Sequence, residues 1–249
     1  LAAQQGHAAA RAHLATVNGK LSADQQKTVD KQVSTFLASV TRPENGAIGS
    51  GFFITKQGHL ITTHNLIARS DCIEVLVDGR RHLAHVLKAD PINNIALLKI
   101  EAKTPALTLM KGRKLHLGLP VFTIGLPHQS QKYSGPKYSH GFIRKLSGRT
   151  LDPRHVQADL NLQPGHSGAA LFDSTGQAVG MLTFKLDELK AYQATGSLPH
   201  TLNTALEVGR IHAFLLAFPA IRRQMPRHTP ETNEVLAAAE SATTQVLVQ

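Results

Sequence analysis

Short apolar stretches separated by turn-forming residues run through most of the chain. From Lys31 onward, segments such as GSGFFIT, CIEVLV, PVFTIGLP and AVGMLTF alternate with glycine, proline, asparagine or aspartate. Runs of this length and spacing are typical of the strands of a β-barrel or β-sandwich. Helical periodicity is nearly absent from the same segments, and the sequence therefore predicts an all-β domain.

The flanking regions differ from this central part. Residues 1–30 are rich in Ala, Gln and Lys and predict a polar, partly helical arm, followed by a two-lobed domain over residues 31–218. Within the domain, apolar residues recur three and four positions apart over Leu206–Phe218, which predicts one short closing helix. Residues 219–249 contain three further prolines by Pro230 and predict a C-terminal tail or linker.

Composition disfavours several classes of protein. Lys+Arg exceed Asp+Glu by 27 − 17 = 10, but the basic residues are scattered without interleaved aromatics, so nucleic acid is not the expected partner. The single cysteine, Cys72, rules out an internal disulfide. The apolar run IHAFLLAFPAI is shorter than the ~20 residues that a membrane-spanning helix needs. The sequence predicts no membrane span within these 249 residues.

One segment has the composition of an acyl-transfer site. Leu162–Met181 reads LQPGHSGAALFDSTGQAVGM, with Ser167 inside a Gly-x-Ser-Gly turn. The glycines allow a sharp turn that exposes the serine hydroxyl. In such a turn the backbone N–H groups of Gly165 and Ser167, on either side of His166, point towards one spot and form an oxyanion hole.

Four segments together resemble the HtrA/Deg branch of the trypsin-like serine proteases. GSGFFITKQGHLITTHNLI is similar to the family pattern GSGFIIxxxGxILTNxHVV, and VDGRRHLAHVLKADPINNIALLKI is similar to DGRxxxAxVVGxDPxxDIALLKI. VFTIGLP and the Ser167 segment follow in family order, so the resemblance spans Ser50 to Met181. It implies a two-barrel chymotrypsin-like fold with a short C-terminal helix, Ser167 as the nucleophile, and a bacterial periplasmic or other exported location.

The same comparison places amides at the other two catalytic positions. Counting from Gly58, the family's base falls on Asn65, and its orienting carboxylate falls on Asn94. An amide cannot accept the serine proton near neutral pH. Changing the carboxylate to an amide costs ~10⁴ in turnover, and losing the base costs ~10⁶. The resemblance therefore implies a pseudoprotease that acts by binding a partner, a peptide or a metal ion.

His64, next to the base position, leaves an alternative open. If His64 served as a displaced base for Ser167, the protein would be an active serine endopeptidase. On a helical turn, however, a shift of one residue rotates a side chain by ~100°, which points His64 away from Ser167. Asp90, four residues before Asn94, is interpreted as a turn former.

Three further features bear on binding. The resemblance places Asn161 at the base of the specificity pocket, which implies a polar, uncharged floor. Ala169 and Ala170 replace a glycine and a proline of the family pattern, so collapse of the oxyanion hole is an open alternative. The chain contains 14 histidines, and His64 and His166 are candidate ligands for a transition metal. A homo-oligomer also remains open.

Overall fold

The computed structural model describes residues 48–68, 70–112, 114–126, 136–148, 151–162, 165–183, 203–227 and 234–248. These residues belong to one compact unit that spans Ala47–Val248. The arm predicted for residues 1–30 lies outside the described residues.

The described part of the chain contains thirteen strands, four α-helices and one 3₁₀-helix, Leu215–Ala217. The strands of the first sheet are β1 (Ile48–Phe53), β2 (His59–Thr62), β3 (Ile73–Val77), β4 (Arg80–Leu83), β5 (His85–Asp90), β6 (Ile95–Lys99) and β13 (Thr243–Val248). Those of the second are β7 (Pro120–Gly125), β8 (Lys137–Lys145), β9 (His155–Ala158), β10 (Ala170–Asp173), β11 (Ala178–Leu182) and β12 (Asn203–Glu207). The helices are α1 (His64–Ile67), α2 (Val208–Phe214), α3 (Pro219–Gln224) and α4 (Val235–Ala242).

The strands pair into two separate sheets. The first has the order β4-β3-β13-β1-β2-β6-β5, and the second closes into a barrel with the order β10-β11-β12-β9-β8-β7. Every pairing between strands is antiparallel. This is the all-β, two-barrel trypsin-like architecture that the sequence predicts, with a short C-terminal helix.

Strand β6 shows why these segments are apolar throughout. Ile95 and Leu97 pack into the large core that continues into the second barrel, whereas Ala96 and Leu98 pack into the smaller core of the first sheet. Because alternate side chains of a strand point to opposite faces, a strand buried on both faces needs apolar residues at every position. All four side chains are fully buried.

The predicted closing helix begins later than its sequence pattern indicates. Leu206 lies in β12, where it pairs with Met181 of β11, and the helix α2 starts at Val208. The Glu207 carboxylate caps it by accepting a hydrogen bond from the N–H of Gly209 at 2.8 Å. Among the helices described, none is long and apolar enough to cross a membrane.

The prediction of a tail or linker over residues 219–249 differs from the structure. α3 and α4 follow α2, and β13 then enters the first sheet between β1 and β3. Val246 and Val248 join the core of that sheet. The strand pattern is hard to recognise because Thr243 follows the helix-forming segment of α4 directly, with no turn residue between them. The C-terminal segment is therefore part of the first barrel.

Candidate functional site

Ser167 lies in a tight loop between Gly165 and β10. Gly165 has φ 102° and Gly168 has φ 88°, values that residues with a side chain rarely adopt. A Cβ atom at Gly168 would lie 2.1 Å from the carbonyl oxygen of Ser50, so only glycine fits there. The loop leaves the Ser167 side chain partly exposed, while Gly165 and Gly168 are buried.

A buried serine of the first sheet holds this loop in place. The Ser50 Oγ donates to the carbonyl oxygen of Gly165 at 2.6 Å and accepts from the N–H of Leu126 at 3.1 Å. The Ser50 N–H donates to the carbonyl oxygen of Ser167 at 2.8 Å. Since Ser50 belongs to β1 and the loop belongs to the second barrel, these bonds join the two halves of the site. This role of Ser50 is not evident from the sequence, where its only signal is a polar residue between two glycines in an apolar strand.

The hydroxyl group of Ser167 contacts another hydroxyl group. Its Oγ lies 3.3 Å from the Oγ1 of Thr63, the fully buried residue that precedes α1. Among the described residues this is the one hydrogen bond that Ser167 Oγ makes. A threonine hydroxyl is not a base at neutral pH and cannot activate Ser167 as a nucleophile. The contact of Thr63 with Ser167 is not evident from the sequence, because 104 positions separate the two residues.

The two asparagines that replace the base and the carboxylate lie together. The Oδ1 of Asn94 accepts a hydrogen bond from the backbone N–H of Asn65 at 2.8 Å. Asn94 has φ 51°, a left-handed conformation that asparagine and aspartate tolerate better than most residues. The side chain of Asn65 is exposed, and that of Asn94 is half-buried.

Asp90 has the turn-forming role that the sequence predicted for it. Its Oδ1 accepts from the N–H groups of Ile92 and Asn93 at 3.0 and 3.1 Å, and its Oδ2 accepts from the Asn93 side chain at 2.6 Å. These bonds shape the turn between β5 and β6, which ends at Asn94. Asp90 therefore stabilises the turn that carries Asn94, and it does not substitute for the catalytic carboxylate that Asn94 replaces.

His64 is the first residue of α1 and is half-buried. Its Nδ1 is buried and has no hydrogen-bond partner among the described residues. A catalytic histidine depends on a third group that holds its ring in the required orientation and tautomer. The described residues supply no such group to His64.

His166 is buried, unlike the half-buried His64. Its side chain is 1% exposed, and its ring lies against the backbone of Gly125 in β7, where an added Cβ would come within 2.4 Å of the ring. The described residues contain no group of three or more His, Cys, Asp or Glu side chains that could hold a metal ion. Another histidine, His140, is exposed on β8.

The remaining predicted positions lie in the second barrel. Asn161 is exposed, and its N–H donates to the Oγ of Ser139 at 3.0 Å. Ala169 and Ala170 are fully buried at the start of β10, and neither has a positive φ, so their methyl groups fit the backbone conformation found there. The N–H of Ala169 donates to the carbonyl oxygen of His166 at 2.9 Å and closes the turn around Ser167.

Two barrels with a serine loop between them define the class of protein. Residues 49–181 match the family described as trypsin-like peptidase domain, and the chain belongs to that family. The serine endoprotease from Yersinia pestis, a solved structure, superimposes with a TM-score of 0.55 at 25% sequence identity, covering 72% of this chain and 59% of that one.

The sequence relatives of this chain include trypsin-like proteases of the DegP/HtrA type. A probable periplasmic serine endoprotease, DegP-like, from Pseudomonas fluorescens is 34% identical over 140 residues, which are 55% of this chain and 29% of that protein. An uncharacterized protein, y4bJ, from Sinorhizobium fredii is 35% identical over 220 residues, or 87% of this chain and 35% of that protein. The chain thus spans about a third of the length of these relatives.

Proposed function

We propose that this domain is a catalytically inactive member of the trypsin-like family that binds a polypeptide without cutting it. The observation that carries the proposal is the contact between the Oγ atoms of Thr63 and Ser167, at 3.3 Å, beside amides at the two other catalytic positions. No group in this arrangement accepts the serine proton near neutral pH.

The rival function, an active endopeptidase that uses His64, requires an oriented imidazole. The buried Nδ1 of His64 has no partner among the described residues, and the side chain of Asn94 is already engaged by the backbone of Asn65. A base without an orienting partner loses most of its catalytic contribution. These contacts favour the binding function over the enzymatic one.

Several features support a polypeptide as the ligand. The loop that presents Ser167 is held by Ser50, so the fold of the cleft persists although its chemistry is lost. Asn65 and Asn161 are both exposed and uncharged, which suits hydrogen bonding to a peptide backbone. The related proteins named serine endoproteases act on polypeptides, and those named periplasmic suggest an exported location for this domain. The basic residues are scattered along the sequence without interleaved aromatics, which disfavours nucleic acid as the ligand.

The experiment combines binding with a search for cleavage. Fluorescently labelled, unfolded casein is titrated with the protein and followed by anisotropy, and the same mixture is examined by mass spectrometry for new termini. We expect saturable binding and no cleavage. Asn161→Arg and Asn65→Trp should weaken binding by crowding the cleft, whereas Lys111→Trp, at an exposed position beside α2, should leave it unchanged.

Two results would contradict the proposal. Cleavage products that disappear in Ser167→Ala would show an active endopeptidase. Absence of binding to casein and to a panel of unfolded proteins, by a domain that circular dichroism shows to be folded, would remove the binding function.

A further inference from the structure

We propose that Arg154 is a positioning residue that, together with Asp152, holds the turn Asp90–Asn94 and so fixes the Asn94 side chain against Asn65. The proposal concerns the construction of the site and does not depend on whether the site binds or cuts polypeptides.

Arg154 lies in the second barrel, immediately before β9, but its guanidinium group contacts the first barrel. Its Nη1 donates to the carbonyl oxygen of Ile92 at 2.9 Å and to the Oδ1 of Asn93 at 3.3 Å. Both acceptors belong to the turn that joins β5 to β6. Arg154, a residue of the second barrel, therefore binds a turn of the first barrel.

Asp152 presets the direction of this guanidinium group. Its Oδ1 accepts from Arg154 Nε at 3.0 Å and its Oδ2 accepts from Nη2 at 2.7 Å. The carboxylate and the planar guanidinium group therefore form a bidentate pair. The same Oδ1 accepts from the backbone N–H of Arg154 at 3.0 Å. The hydrogen bonds from Arg154 keep the pKa of Asp152 well below its usual range, so the carboxylate stays charged at any physiological pH.

Asn93 connects Arg154 to the part of the turn that carries Asn94. Its Oδ1 accepts from Arg154, and its Nδ2 donates to the carboxylate of Asp90, so its side chain is held at both ends. Asn94, the next residue, has φ 51° and presents Oδ1 to the N–H of Asn65. Hydrogen bonds thus link Asp152 to Asn93, the peptide bond links Asn93 to Asn94, and a further hydrogen bond links Asn94 to the start of α1.

The solvent exposure of this ion pair indicates that it orients the Arg154 guanidinium group and adds little to the stability of the fold. The Arg154 and Asp152 side chains are 32% and 24% exposed, and ion pairs this accessible to solvent add little to the free energy of unfolding. Planar, multiply bonded arginine pairs do, however, define direction well. Removal of Arg154 should loosen one turn and leave the rest of the fold intact.

The chain offers a matched control in Arg144. Its Nε and Nη2 both donate to Asp159 at 2.6 Å, and it lies in the same barrel. It makes no contact with the Asp90–Asn94 turn among the described residues. Arg144→Met therefore removes a comparable surface ion pair from a place where the site should not respond.

The test measures backbone amide hydrogen exchange of Asn65 by NMR in Arg154→Met and Arg144→Met. We expect exchange of the Asn65 amide to accelerate by ~10-fold or more in Arg154→Met, with an unchanged unfolding midpoint, because the loosened turn opens locally. Arg144→Met should leave this amide unaffected. Arg154→Lys, which keeps the charge but loses the fork, should give an intermediate rate.

A second readout applies where Arg154→Met fails to fold. Asp152→Asn keeps the arginine but removes its anchor, and it should also speed exchange at Asn65. In the Asn65→His/Asn94→Asp background, either change should lower the pKa of the introduced imidazole, because the carboxylate that stabilises its charged form is no longer held beside it. Unchanged Asn65 exchange in both variants, or equal acceleration in Arg144→Met, would overturn the proposal.

Discussion

The hydroxyl oxygens of Thr63, which follows β2 of the first sheet, and Ser167, which precedes β10 of the second barrel, lie 3.3 Å apart. In a working enzyme of this class the nucleophilic serine hydroxyl needs a neighbour that takes its proton. Here its neighbour is a second hydroxyl of nearly equal basicity, so transfer between the two oxygens produces no useful nucleophile. The Ser167 hydroxyl, which is partly exposed, can instead donate a hydrogen bond to a ligand or accept one from it, while Thr63 is fully buried beneath it.

The reactivity of Ser167 follows from this pairing. We expect no labelling of Ser167 by a fluorophosphonate probe at neutral pH, as judged by intact-protein mass spectrometry, because the described hydrogen-bond partner of its hydroxyl is Thr63, which is not a base. Trypsin labelled in parallel serves as the control for the probe. Stoichiometric labelling that is lost in His64→Ala would show that His64 acts as the base.

The next prediction concerns replacing the two amides at positions 65 and 94 by the catalytic histidine and aspartate of the family. Asn65→His together with Asn94→Asp should restore slow cleavage of casein, because Asn94 already lies against residue 65 and its φ of 51° also suits aspartate. Either change alone should restore far less, since the three groups act as a unit. Ser167→Ala in the repaired protein is the control. A folded, inactive double variant would place the defect in the loop around His166 and Ala169.

Gly168 should tolerate no side chain. Gly168→Ala places a methyl group within 2.1 Å of the Ser50 carbonyl oxygen at φ 88°, and we expect it to lower the free energy of unfolding by about 3 kcal/mol or more. Gly112→Ala, at φ 76° but with open space around it, should cost only about 1–2 kcal/mol. Denaturant unfolding of the two variants measures the difference, and equal losses would mean that the Ser50 contact is unimportant.

Ser50 is expected to affect both the conformation of the loop that carries Ser167 and the free energy of unfolding. Ser50→Ala leaves the Leu126 N–H without its acceptor and should cost ~1–3 kcal/mol. Thr104→Val, which removes another buried hydroxyl that donates to a carbonyl at 3.0 Å, should cost a similar amount. Only Ser50→Ala should shift the NMR resonances of Gly165 and Ser167. Identical spectra of this loop in both variants would argue against a role for Ser50 in holding it.

The stability of the fold should depend on pH through His59. Burial and the nearby charge of Lys99 lower the pKa of His59 from its ordinary value of 6.5. The unfolded chain therefore binds a proton at a higher pH than the folded one, and stability falls as pH drops below about 6.5 towards the folded pKa. His59→Gln should flatten this part of the curve of unfolding free energy against pH, whereas Gln57→Asn, an exposed and uncharged control in the same turn, should not. Parallel curves for wild type and His59→Gln would refute this assignment.

Local sequence patterns bear on the parts of the site that local structure determines. Resemblance to the family pattern assigned the base position to Asn65 and the carboxylate position to Asn94, and short turns fix both residues relative to the strands beside them. The structure joins the two residues by a hydrogen bond. The turn-forming role of Asp90 was also readable, since its bonds reach only two and three residues ahead.

Other parts of the site depend on contacts between distant segments. Ser50 reaches Gly165 across 115 positions and Thr63 reaches Ser167 across 104, and no feature of either neighbourhood in the sequence reports those partners. His166 was a candidate metal ligand because imidazole binds metals, but burial against Gly125 cannot be read from a glycine-rich turn. β13 was missed because its pairing partners are about 170 and 195 residues away.

The position of β13 also sets the order in which the molecule can be completed. β1 and β3 leave the ribosome early, but the strand that separates them is synthesised only after all six strands of the second barrel. Until then both carry open hydrogen-bonding edges, which attract other β-strands. The barrel nearer the N-terminus is therefore the later of the two to be finished. Its closure brings together segments far apart along the chain, a type of contact that slows folding and lengthens the time during which a nascent chain is exposed to aggregation.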